Sequence, residues 1–148
     1  MIKTRALSAL AALAFVMSVS AAFAQQPATV GDLIGKGGKK LTKEQLSALL
    51  KGGATVSGVQ EGSGARFSNT LNADGSVKGT AVRTGGEKFE LTGKWSVNDK
   101  GQLCSDLTPG WGRHFDSCNF FFILDNAHYA SQSDEKTAAV MIREIKKK

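Results

Sequence analysis

From residue 88 to residue 98 the chain alternates without a break: Phe89, Leu91, Gly93, Trp95 and Val97 fall on one side, and Lys88, Glu90, Thr92, Lys94, Ser96 and Asn98 on the other. Successive side chains of an extended backbone point to opposite faces, so a period of two over this length predicts a half-buried β-strand. Leu103-Cys104 follows, then an excursion over residues 106–116 that contains Pro109, Gly110 and Trp111. Residues 118–124, Cys-Asn-Phe-Phe-Phe-Ile-Leu, form the most hydrophobic run outside the N-terminus. This stretch holds both cysteines, and it commits the chain to a β fold around which the remaining segments are arranged.

Those segments read as short strands and turns. Residues 55–59 and 66–71 are extended, with Phe67 and Leu71 inward, and residues 77–83 return after Asn72-Ala73-Asp74-Gly75. Gly85-Gly86 reverses the chain into the Trp95 strand, and Asn98-Asp99-Lys100-Gly101 repeats the earlier turn, with glycine where φ must be positive. Further strands are expected at 102–107, 118–124, 128–131 and 138–145. In the 118–124 strand Phe120 and Phe122 face one way and Phe121 and Ile123 the other; a strand apolar on both faces lies centrally or has its outer face covered. Before the strands, Thr42 and Gln45 form a capping box and Leu41 and Leu46 a hydrophobic staple. Leu46, Leu49 and Leu50 then make an apolar stripe that ends at Gly52-Gly53. So short a helix must pack against a sheet end or a barrel mouth. The expected fold is mainly β: a short N-terminal helix, then about eight antiparallel strands in a small meander barrel or sandwich.

Lys3 and Arg5 precede an apolar run over residues 6–19, and Ala22-Phe23-Ala24 supplies the small residues a signal peptidase needs. Residues 1–24 therefore read as a secretory signal peptide, and the run is shorter than the roughly 20 residues of a membrane span. The mature chain is expected in the periplasm or secreted, without a transmembrane segment. Residues 25–40, rich in glycine and lysine, read as a flexible leader, and 41–148 as one domain. Gly31, Gly35 and Lys36 lack both the spacing and the preceding strand of a phosphate loop.

Two cysteines in an exported chain point to a Cys104–Cys118 disulfide. A metal site built from these cysteines with His114 and His128 matches no zinc spacing, so neither metal nor cofactor is expected. The formal net charge of +6 falls by two when Lys3 and Arg5 are removed, and much of the rest sits in Lys36, Lys39, Lys40 and the terminal Lys146-Lys147-Lys148. With the aromatics in strand positions rather than interleaved among these lysines, nucleic-acid binding is not expected.

There is no nucleophile elbow, no HExxH and no CxxC. Asp74, Asp99 and Asp125 sit in turns. His114 could act as a base only if Asp116 oriented it, and adjacency alone does not supply that geometry. The chain is therefore read as a non-enzymatic binding or interaction protein of the cell envelope, the expected partners being a small apolar ligand or an envelope protein, and as a monomer. The first partner requires an internal cavity, expected to be lined by Phe67, Phe89, Trp95, Phe120 and Phe122. The second requires a filled core and an exposed patch on the loop that carries Trp111, Arg113, His114 and Phe115, the candidate binding residues.

The order of the Leu41–Leu50 helix, the Asn-x-Asp-Gly hairpin, Gly93-Lys94-Trp95, Leu103-Cys104 and Cys118 resembles a family of small exported proteobacterial proteins of unknown function. The resemblance spans residues 41–145 and implies a lipocalin-like (calycin-like) barrel with no catalytic residues to carry over. A looser likeness is to periplasmic inhibitors of secreted metalloproteases, which would give the leader the role of an extended segment entering a protease cleft. An inhibitor of that kind, or a structural envelope protein, is the alternative reading.

Overall fold

The computed structural model describes residues 25–110 and 112–148. The expected signal peptide and Trp111 lie outside the described residues. Eight strands form a closed antiparallel barrel, as the turn chemistry predicts: β2 (Ala54–Val59), β3 (Arg66–Leu71), β4 (Ser76–Val82), β5 (Lys88–Val97), β6 (Gln102–Pro109), β7 (Phe115–Leu124), β8 (Ala127–Ser131) and β9 (Met141–Lys147). Each strand pairs with its neighbour in the chain, and β9 closes the cylinder by pairing with β2, from Ala54↔Lys147 to Gly58↔Arg143. Closure leaves no unpaired edge along the barrel.

The turns at one end are made as expected. Gly75 N–H donates to Asn72 O and Gly101 N–H to Asn98 O, each at 3.0 Å. Both glycines have φ near the left-handed region, at 86° and 77°. The third turn, Asp125-Asn126, has no glycine and holds both residues at positive φ, 48° and 66°, a conformation that Asp and Asn tolerate better than other side chains.

The same end is closed by α2 (Lys43–Leu50). Thr42 and Gln45 form the reciprocal capping box, and Leu46 and Leu50 are fully buried in the main core with Ala54, Leu71, Val77 and Leu103. Leu41 and Leu49 pack against that cluster. The helix thus plugs the barrel.

Residues 25–40 are not a flexible leader. They carry α1 (Val30–Gly35), capped by its own box of Thr29 and Asp32, and β1 (Lys39–Lys40), which pairs with β7 opposite Ile123 and Phe122. Val30 N–H donates to Ala138 O at 2.9 Å, Gly31 N–H to Lys136 O at 2.8 Å, and Val140 N–H to Ala28 O at 3.0 Å. The cause lies in β7. Its outward Phe122 and the outward Tyr129 of β8 would expose a large apolar patch; Val30 and Leu33 of α1 cover them and form a second core with Val140. Two apolar anchors in a glycine-rich stretch make no readable periodicity, so composition alone suggested a linker.

Cys104 and Cys118 face each other across the β6–β7 ladder on the outer surface, bonded with Sγ atoms 2.04 Å apart. Among the described residues no helix is long and apolar enough to cross a membrane.

Candidate functional site: the barrel interior

Register decides which side chains enter the barrel. Directly paired residues share a face, so Phe89 of β5 lies inward with Ala81 of β4, Phe67 of β3, Gly58 of β2 and Arg143 of β9. On β6 and β7 the inward pairs are Leu103↔Asn119, Ser105↔Ser117 and Leu107↔Phe115. Toward α2 the interior is filled. Trp95 packs on the main core there, and its indole N–H donates to Asn72 O at 2.8 Å. Toward the opposite end the interior opens into a cavity of about 540 Å³, within the roughly 300–1,000 Å³ typical of small-molecule sites.

The lower wall of this cavity is apolar, formed by Val56, Leu71, Leu91, Leu103 and Phe121. Phe67, Phe89 and Phe115 stand higher, and residues of the connecting loops (Gln60, Glu61, Arg83, Thr84 and Gln132) surround the mouth. Of the aromatics expected in a cavity, Phe67 and Phe89 are there. Phe120 and Phe122 are not: they belong to the outer cluster beneath α1, and Phe121 takes the inward position. The alternation within the Phe triplet is the expected one, but nothing in residues 118–124 says which parity is inside, because both are apolar. Trp95 is at the plugged end and does not line the cavity.

Above this apolar floor the wall carries polar side chains, Asn69, Ser105, Ser117, Asn119 and Ser131 among them. Ser105 and Ser117 hydroxyls lie 3.4 Å apart. Asn69 Oδ1 and Ser131 Oγ, both on cavity-lining residues, are buried with no hydrogen-bond partner among the described residues. Arg143 is the charge inside. Its guanidinium stacks 5.2 Å from the centre of the Phe67 ring, and Nη1 donates to Val59 O at 3.0 Å and Ile142 O at 2.9 Å. Among the described residues no carboxylate comes within ion-pair distance of it. Burial pushes its pKa down, and the charge of Glu61 at the mouth opposes this in part. Gly58 makes the arrangement fit: a Cβ there would stand 2.9 Å from Nη1. A second stack, Arg83 on Phe89 at 5.5 Å, sits at the rim, where Arg83 also pairs with Glu87 at 3.0 Å.

The candidate binding loop lies at this open end. Arg113 and His114 are exposed, and Phe115 borders the mouth while remaining 37% exposed. His114 Nδ1 lies 3.0 Å from Asp106 Oδ1, not against Asp116. His128, inward on β8 between Ile123 and Arg143, has its pKa lowered by burial. Among the described residues no group of His, Cys, Asp and Glu side chains is arranged to hold a metal ion. Arg143 went unnoticed in the sequence, although the alternation Met141, Arg143, Ile145 puts a lone charge on the apolar side of the closing strand.

The chain matches no protein-family model, no curated protein and no solved structure.

Proposed function

We propose that this protein is an exported, non-catalytic binding protein of the cell envelope, periplasmic or secreted, that holds a small, largely apolar ligand inside its barrel. The observation that carries the reading is the 540 Å³ cavity, apolar below and open at one end. Its floor is apolar and its polar side chains gather in the upper wall and mouth, which suits a ligand whose apolar part supplies affinity and whose polar part is oriented by hydrogen-bonding groups. The signal-like N-terminus and the disulfide support an address outside the cytoplasm. The protease-inhibitor alternative draws less support, because residues 25–40 are docked on the barrel wall through α1 and β1 rather than extended.

The test is a titration with N-phenyl-1-naphthylamine, a neutral fluorophore that brightens in apolar surroundings. One saturable site per chain, lost when the cavity is narrowed by Ser117→Leu, supports the reading. Absence of saturable enhancement by the folded wild type removes it.

A further inference from the structure

Resting on that reading, we infer that the ligand is an anionic amphiphile whose apolar body lies among Phe67, Phe89 and Phe121 and whose acid group pairs with Arg143. A guanidinium offers five N–H donors in a planar fork suited to a carboxylate or phosphate. In Arg143 only Nη1 is engaged, with two backbone carbonyls, which leaves Nη2 and Nε without an acceptor among the described residues. A cation partly withdrawn from water, with no carboxylate against it among the described residues, is disposed to take an anion. Within the described residues none is supplied: Glu61 acts on Arg143 through its charge alone, and Glu87 is paired with Arg83 at the rim.

Geometry reinforces the point. The ring of Phe67 fixes the guanidinium plane on one side, and Gly58 leaves the space in which it lies. The group is therefore held in place before any ligand arrives, which limits the ordering cost of binding. The unpartnered Asn69 Oδ1 and Ser131 Oγ add polar contacts in the same cavity. Ser131 Oγ is able to donate to an acid oxygen or accept from a hydroxyl on the ligand.

The experiment is competition against bound N-phenyl-1-naphthylamine, below micellar concentrations and at neutral pH, with dodecanoate, dodecyl phosphate and dodecanol. At least one of the two acids should displace the probe at a concentration about tenfold or more below that of the alcohol, the difference a charge-assisted pair makes. Which acid does so separates a free carboxylic acid from a phosphate-headed lipid as the source. In Arg143→Met the ratio of acid to alcohol should collapse to near unity, while in Lys88→Met, which removes an exposed charge on the outer face of the same strand as Phe89, it should persist. Equal displacement by acids and alcohol in the wild type overturns the inference while leaving the cavity reading intact. A preference lost equally in Lys88→Met would make it a general effect of the basic surface, and would overturn it too. If the neutral probe itself finds no site, the cavity reading fails first. The wild-type comparison does not depend on whether the Arg143 variant folds.

Discussion

The two ends of the barrel are made from the same eight strands yet differ in what fills them. At the α2 end the interior is packed: Leu46, Leu50, Ala54, Leu71 and Val77 are essentially inaccessible, and Trp95 and Val97 pack against them. At the other end small and polar residues (Ala81, Ser105, Ser117, Asn119) occupy inward positions where the closed end has leucine and valine, and space remains. Turn chemistry differs in parallel. The closed end uses tight Asn-x-x-Gly and Asp-Asn turns, whereas the open end uses longer connections such as residues 60–65 and 132–140. One end is thus organised for stability and the other gives up packing for access, a division that single substitutions can test.

The largest effect is expected at the plug. Leu50→Ala removes a fully buried side chain from the closed end and should cost about 2–5 kcal/mol in denaturant unfolding. A loss below 1 kcal/mol, on the order of an exposed-site change, would show that α2 is not the floor of the core. Next comes the staple between β6 and β7. Replacing Cys104 and Cys118 together by Ala releases a loop near 15 residues and should lower stability by about 3 kcal/mol. Because the bond lies on the outer face and its loop is at the open end, the plugged end should keep its slow amide hydrogen exchange as the open end becomes faster.

Much of this contrast is readable in the sequence, and the unreadable part has physical causes. The capping box at Thr42 and Gln45, the Asn72 and Asn98 turns and the alternation around Trp95 are local signals, each complete within a few residues, and the structure has each of them. The barrel follows from their number and spacing. What local pattern could not supply is cover. The outer face of β7 needed an apolar lid, and the helix that provides it, α1, is six residues long with two buried side chains. Its anchors are recognisable only once Phe122 and Tyr129 are known to face outward. The site fared similarly. Strand parity places Phe67 and Phe89 inward and sets Arg143 on the apolar side of its strand, but that Arg143 meets Val59 depends on the β9–β2 pairing that closes the barrel, a contact between residues more than 80 positions apart.

At the open end the expected effect on stability is small and its sign is less costly. Ser117→Leu puts a larger apolar side chain into free volume opposite Ser105, so unfolding free energy should shift by no more than about 1 kcal/mol, against the 1–3 kcal/mol that overpacking costs in a filled core. The same substitution should abolish N-phenyl-1-naphthylamine binding. A loss of several kcal/mol would mean that the open end is as tightly packed as the plugged one, and the comparison between the ends would fail.

The smallest expected effect is a pH dependence at His128, which shares the inward row with Arg143 and Ile123. Burial lowers its folded-state pKa from the ordinary value, which in the unfolded chain is about 6.5. Above that value the imidazole is neutral in both states and the residue contributes no pH dependence. As pH falls below it the unfolded chain takes up the proton first, so stability drops until the folded-state pKa is passed, and levels off below it. The wild type should therefore lose stability between neutral and mildly acidic pH, by an amount that His128→Gln removes, in urea unfolding followed across that range. A slope that survives the substitution undiminished would assign the dependence to carboxylates elsewhere.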